Sequence, residues 1–349
     1  MVPQDLPAVA YVGLAVVTLV VIWVSTYILE RLRHLDHISK NVSTSYFLED
    51  PTSLEKVPLP SVFAPASKYI SLIIPAMNEE DRLPDTLDET LRFLQQRAKA
   101  DTSFTYEIIV VDDGSKDGTA KAAFEFVRKH SLDVVRVIKL GRNQGKGAAV
   151  QRGMLSSRGE LALFMDADAA TDIHDLSKLE QELLALERTA VHSASPAPVT
   201  RSGAKQSLKG HVGSFAAMAV GSRAHLEKLA IAKRKWYRNF LMRGFHLCVL
   251  MVAGPGVKDT QCGFKMFTRS AVQQIFPNQR VHRWCFDVEL IYLAKSLRIP
   301  IKEVAVTWTE IPGSKLRFTS IFHMLFELAL IRLGYGLGFW NIRRQQLVQ

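Results

Sequence analysis

The stretch LALFMDADAA (161–170) carries an apolar run straight into Asp166-Ala167-Asp168. Carboxylates at i and i+2 on a strand point the same way. At a strand end such a pair can hold a hard divalent cation, which keeps several waters and completes its shell with substrate phosphates. The bland alternative is an ordinary acidic turn. A second pair, Asp112-Asp113 in VVDDGSKDGT (110–119), has two readings. It is an Asp-Gly turn, or a strand end whose carboxylates accept hydrogen bonds from a base N–H and a ribose hydroxyl. A third cluster, GRNQGKGAA (141–149), opens a helix. Gly145 and Gly147 allow backbone amides near a phosphate, and Lys146 adds a point charge. Neither Walker A nor GxGxxG spacing is present, which counts against ordinary kinases, ATPases and dehydrogenases.

The elements that must position these clusters can be read from the pattern. KYISLIIPAMNEE, YEIIVVDD, DVVRVIKL and ELALFMDAD are short apolar runs, each ending in polar residues. Between them lie segments of helical spacing, such as Leu87, Leu91 and Leu94. This alternation predicts an α/β fold with a mostly parallel, doubly wound sheet flanked by helices. Ligands of such sheets bind outside the carboxyl ends of the strands. Asn78-Glu79, Asp112-Asp113, Asn143 to Gly147 and Asp166-Asp168 all fall at such ends, which argues for one shared site.

Residues 6–29 contain no charged side chain. As a helix at about 1.5 Å per residue they reach roughly 36 Å, enough for a ~30 Å hydrocarbon core. They lack the basic n-region of a signal peptide, so one N-terminal transmembrane helix is expected. Arg31 and Arg33 follow it, which places the larger C-terminal part in the cytosol. The Asn41 sequon then faces the wrong side for glycosylation and reads as chance. Residues 30–67, polar and proline-bearing, read as a linker or an extended wrap. The region 192–213 reads as a flexible insertion. In 226–253, basic residues mix with Trp236, Tyr237 and long apolar stretches, the pattern of a helix lying in a membrane interface. A buried core helix with one solvated face is the alternative. The apolar segment in 319–349 is interrupted by His323, Glu327 and Arg332, so a second interfacial helix is expected rather than a second span. Three cysteines without metal-ligand spacing suit a reducing compartment. A net charge of +10 could serve nucleic acid. In a tethered protein it is more simply explained by anionic lipids or phosphorylated substrates.

Together the clusters ask for a nucleotide diphosphate, a divalent metal and an acceptor near the membrane. IIPAMNEE, IVVDDGSKDGT, NQGKGAAV, DAD and DTQCGFKMF occur in that order, and the chain resembles the family 2 glycosyltransferases of GT-A (Rossmann-like) fold over residues 68–318. Within that family it is similar to the members that glucosylate a polyprenyl phosphate. The resemblance implies a metal-dependent inverting hexosyltransferase of the endoplasmic reticulum membrane. Its donor would be UDP-glucose and its acceptor dolichyl phosphate, giving a lipid-linked glucose for N-glycosylation. By the same resemblance Pro75, Asn78, Glu79, Asp112, Asp113, Lys146, Gly147, Asp166 and Gln261 would bind the donor. Asp166 and Asp168 would hold Mg²⁺ or Mn²⁺. Arg223, Arg238, Arg243 and Lys315 would grip the acceptor phosphate. Mannosyl members carry Gln where this chain has Ala170, which argues against a third protein ligand. Asp287 would be the catalytic base by analogy with members whose acceptor is a sugar hydroxyl. A phosphate acceptor needs no base, so orientation of a sugar hydroxyl or of the basic cluster is its other reading. The rivals are the same transfer from GDP-mannose, a processive polysaccharide synthase, and a non-catalytic membrane scaffold. The second would need further spans and a QxxRW-type segment, and neither is found; the third would fit loss of the DxD, which is intact.

Overall fold

The apolar runs are continuous rather than alternating because both faces of their strands are covered. Seven strands form one sheet in the order β5-β4-β3-β6-β8-β7-β9. In chain order they are β3 (Lys68–Ala76), β4 (Tyr106–Asp112), β5 (Val135–Lys139), β6 (Gly159–Met165), β7 (Met218–Ser222), β8 (Phe264–Thr268) and β9 (Ile301–Ala305). Strands β3 to β6 pair in parallel, as do β7 and β9. Strand β8 runs antiparallel to both β6 and β7, with Phe264 opposite Met165. That reversal delivers the loop before β8 to the carboxyl end of β6.

Leu72 and Ile74, Ile108 and Val110, and Leu161 and Leu163 face one apolar layer. Ile73, Ile109, Ala162 and Phe164 face the other. Helices α2 (Leu83–Ala100), α3 (Thr119–His130) and α5 (Leu176–Ala194) supply the first layer. In α2, proline opens the helix, Asp85 lies in the first turn and Arg97 and Lys99 in the last, as the helix dipole favours. Leu87, Leu91 and Leu94 form its buried stripe. Helices α4 (Lys146–Leu155), α6 (Trp236–Ala253), α7 (Arg269–Ile275), α8 (Phe286–Ser296) and α9 (Thr319–Gly336) cover the second face.

The computed structural model describes residues 8–40, 47–51, 53, 55–194, 215–225, 236–311 and 319–344. The insertion expected at 192–213 lies outside them from residue 195 onward. The segment 30–67 is a wrap rather than a bare linker. Helix α1 (Ala8–Lys40) continues through its first part. An antiparallel pair, β1 (Phe47–Glu49) and β2 (Lys56–Pro58), then follows, and Glu49 meets Lys139 at 3.0 Å. Val62 is buried, its N–H donating to the Leu155 carbonyl at 2.8 Å. Apolar Leu48 and Val62 dock this segment, the second of the two readings its composition allowed.

Among the described residues no helix is both long and apolar enough to cross a membrane. Helix α1 nevertheless exposes Val16, Leu19, Ile22 and Trp23. Its lower half is tied down: the Leu32 carbonyl accepts from Trp340 Nε1 at 3.0 Å, and Asp36 meets Arg280 at 3.1 Å. Helix α6 buries Val249 and Val252 but exposes Leu247, Leu250 and Met251. Its described open face carries these three apolar residues and His246, while the side chains of its basic half lie outside the described residues. Helix α9 buries Leu328 and Ile331 and exposes Phe322 and Leu325.

Candidate active site

At the ends of β3 and β4 the loops are laced together. Asn78 adopts the left-handed conformation (φ 54°). Its N–H donates to Ser115 Oγ at 3.0 Å, and its Oδ1 accepts the Lys116 N–H at 2.9 Å. The Glu79 N–H donates to Thr119 Oγ1 at 2.8 Å, while the Glu79 carboxylate pairs with Arg82 at 2.5 Å. Pro75 lies within β3, opposite Val111. Asp112 accepts the Ser115 N–H at 3.0 Å and closes its own turn. Asp113 accepts the N–H groups of Gln144 and Gly145 at 2.6 and 2.9 Å. Burial pushes the Asp113 pKa up, and those two N–H bonds only partly restrain it. Both acids are at most 5% exposed, and both hold backbone in place.

Gly145 and Gly147 have a cause the spacing did not reveal. A Cβ on Gly145 (φ 104°) would stand 2.3 Å from the His282 carbonyl oxygen, and one on Gly147 would stand 2.7 Å from Phe286 Cβ. The Ala148 N–H reaches the His282 carbonyl at 3.2 Å. The loop thus packs under residues 282–286, whatever it offers a phosphate.

The end of β6 is different. Lys146 Nζ lies 2.5 Å from Asp166 Oδ1, and both side chains are about one-third exposed, 34% and 36%. Desolvation works against charge on Lys146, but Asp166, then Asp287 and Asp168, outweigh it and raise its pKa. Asp168 accepts the Ala170 N–H at 3.1 Å and lies 3.9 Å from Arg82. Thr86 Oγ1 donates to the Ala167 carbonyl at 2.9 Å and pins the turn from below. The loop before β8 approaches so closely that a Cβ on Gly263 would fall 2.2 Å from Asp166 Oδ2. Beside it, fully buried Lys265 pairs with Asp287 in the first turn of α8. It also donates to the Cys262 carbonyl at 2.7 Å and lies 5.2 Å from the Phe164 ring centre. Burial raises the Asp287 pKa, and Lys265 and Lys146 only partly offset it. Lys265 entered the sequence reading only as the end of the DTQCGFK loop that resembles a sugar pocket, without a charge role, and Arg82 did not enter it. For Lys265 a signal existed: a lysine inside a buried strand needs a charged partner. For Arg82 there was none beyond its spacing from Glu79.

Two partly exposed carboxylates with hard oxygen donors at one strand end fit a Mg²⁺ or Mn²⁺ ion, which would compete with Lys146 for Asp166. Glu89, Asp172 and His174 are also spaced to share an ion, but on the surface, with Asp172 already accepting the His174 N–H at 2.9 Å.

Arg223, at the end of β7, is engaged: its guanidinium forks onto Asp259 at 2.7 and 3.0 Å. Burial would raise the Asp259 pKa, but Arg223 holds it below the usual range. Arg223 and Gln261 line a cavity of about 820 Å³ together with Phe245, Val249 and Leu250 of α6. Arg238 and Arg243 belong to α6, with side chains outside the described residues, as is Lys315.

Residues 71–276 match Glycosyl transferase family 2, and the chain belongs to that family. Its α/β sheet with one reversed strand is GT-A-like. The chain is 42% identical over 336 residues to the dolichyl-phosphate beta-glucosyltransferase of Homo sapiens, covering 96% of each. It is 47% identical over 291 residues to that of Mus musculus, covering 83% of each. To that of Drosophila melanogaster it is 43% identical over 320 residues, covering 91% of each.

Proposed function

We propose that the chain transfers glucose from UDP-glucose to dolichyl phosphate, with inversion, giving dolichyl β-glucosyl phosphate and UDP. The observation that carries this is likeness to enzymes of that name over nearly the whole chain, joined to the DxD beside Lys146. A monoalkyl phosphate is an anion at pH 7 and serves as its own nucleophile. An acceptor phosphate oxygen bonds to the anomeric carbon, the bond from that carbon to the UDP β-phosphate oxygen breaks, and UDP leaves. Asp287, buried and paired with Lys265, is a fixed anion that orients the lysines around the donor. Mg²⁺ or Mn²⁺ held by Asp166 and Asp168 would neutralise charge on the diphosphate. Lys146 supplies positive charge at the same end. Asp112, Asn78 and Glu79 frame the nucleoside end. The cavity lined by Arg223 and by apolar residues of α6 suits a phosphate carrying a lipid chain. Arg238, Arg243 and Lys315 complete the basic side of that reading.

The exposed apolar residues of α1, α6 and α9 support attachment to a membrane through the N-terminal helix; Arg31 and Arg33 after the apolar run speak for a cytosolic catalytic domain, and the likeness to dolichyl-phosphate glucosyltransferases speaks for the endoplasmic reticulum. The test of the reaction is a donor-by-acceptor assay on purified protein that detects the labelled lipid. UDP-glucose with dolichyl phosphate is the expected pair, and faster turnover with GDP-mannose overturns the sugar assignment. In intact microsomes added protease digests the domain. Protection, or a glycan on Asn41, reverses the orientation.

A further inference from the structure

The loop 280–286 is held by two acids from two helices. The Arg280 and Val281 N–H groups donate to Glu289 of α8, at 3.0 and 2.7 Å. Glu289 is fully buried and also accepts the Tyr335 hydroxyl of α9 at 2.7 Å. The Trp284 and Cys285 N–H groups both donate to Glu327 Oε2 of α9, at 3.0 and 2.8 Å. Cys285 Sγ adds a weak bond to the Met324 carbonyl at 3.3 Å. The other side of this loop presses on the donor site: the His282 carbonyl and Phe286 fill the space above Gly145 and Gly147, and Asp287 follows immediately. A carboxylate in a helix as apolar as α9 is costly unless it is bonded, and its bonds go to this loop.

We propose that Glu327 is a positioning residue of the transferase. It fixes the 284–285 backbone, and through it the seating of His282 and Phe286 on the Gly145–Gly147 loop and the placement of Asp287 against Lys265. Helix α9 thereby couples its apolar outer face, Phe322 and Leu325, to the donor site. The rival account is that Glu327 only caps α8 and adds stability.

The proposal rests on the glycosyl-transfer reading for its kinetic consequence but not for its structural one, so the first readout needs no turnover. In full-length protein without substrate, Glu327→Ala is expected to speed amide hydrogen exchange at residues 145–149, remote in sequence. Glu327→Gln, which keeps an oxygen for both N–H groups, is not. Unchanged exchange at 145–149 in Glu327→Ala overturns the proposal, whatever sugar is transferred. In the assay, Glu327→Ala is expected to lower kcat by about tenfold or more, since displacements of about 1 Å at a reacting site are that costly. Glu327→Gln should recover most of it. A lower Tm with kcat and KM unchanged makes Glu327 a cap only. Should the alanine variant not fold, Glu327→Asp, one methylene shorter, is expected below Glu327→Gln in kcat. Equal rates for those two variants overturn the coupling.

Discussion

Two acidic pairs stand at neighbouring strand ends and are used in opposite ways. After β4, Asp112 and Asp113 are buried and accept backbone N–H groups. After β6, Asp166 and Asp168 remain partly exposed; Asp168 also accepts the Ala170 N–H, but the charged groups they meet are side chains, Lys146 and Arg82. Backbone donors cannot leave without unfolding the loop. A lysine or arginine can swing away and exchange its carboxylate for a metal or a diphosphate. The same residue type therefore builds the site in one place and works in it in the other.

This contrast can be broken most sharply at β6. Asp168→Asn should lower turnover by about 10³-fold, the scale of losing a main electrostatic stabiliser, with Tm nearly unchanged. Chelation of wild type should do the same and be reversed by Mg²⁺ or Mn²⁺; full activity in chelator would sink the metal role. Arg223, also held by a side-chain partner, should behave as exchangeable. Arg223→Ala is expected to reduce kcat/KM for the lipid about 10–100-fold while UDP affinity holds. Arg223→Lys should recover only part, because the fork is lost. Loss of UDP affinity with normal lipid kinetics would move Arg223 to the donor side. Asp113→Ala should instead lower stability, by about 1–3 kcal/mol for unsatisfied buried donors, seen as a fall in Tm that activity follows. A stable but inactive Asp113→Ala would erase the contrast.

The smallest effect concerns Glu289, a buried acid outside both pairs, whose carboxyl is pushed from 4.5 to about 7 by burial, against the N–H groups of Val281 and Arg280, the Tyr335 hydroxyl and the Arg280 charge. The folded form then holds a proton that the unfolded chain has released, so this stabilisation is full below about 4.5 and fades as pH rises through about 7. Wild type should lose a few degrees of Tm relative to Glu289→Gln across that window. Parallel Tm curves would show that Glu289 does not titrate there.

Much of this architecture was legible from the chain. The runs ending at Ala76, Asp112, Lys139 and Met165 are strands, and the polar clusters after them converge because parallel strands end on the same side. The wrap by Leu48 and Val62 was not decidable, since two apolar residues among prolines do not say what they dock on. The partners of Gly145 and Gly147 lie in segments far away in sequence, and those of Asp113 lie beyond α3 and β5. The Lys265–Asp287 pair joins a strand to a helix 22 residues on.

By itself, then, the sequence determined the α/β class, the first four strands with the helices between them and which of those strand ends bear acids and glycines, because periodicity and chain direction are local properties. Only the tertiary structure decided which acid is spent on backbone and which stays exchangeable. It also decided that the glycines make room for His282 and Phe286, and that a glutamate in an apolar helix grips the loop above them. Those outcomes depend on desolvation and on which donors come within about 3 Å, and both are set by segments meeting in space.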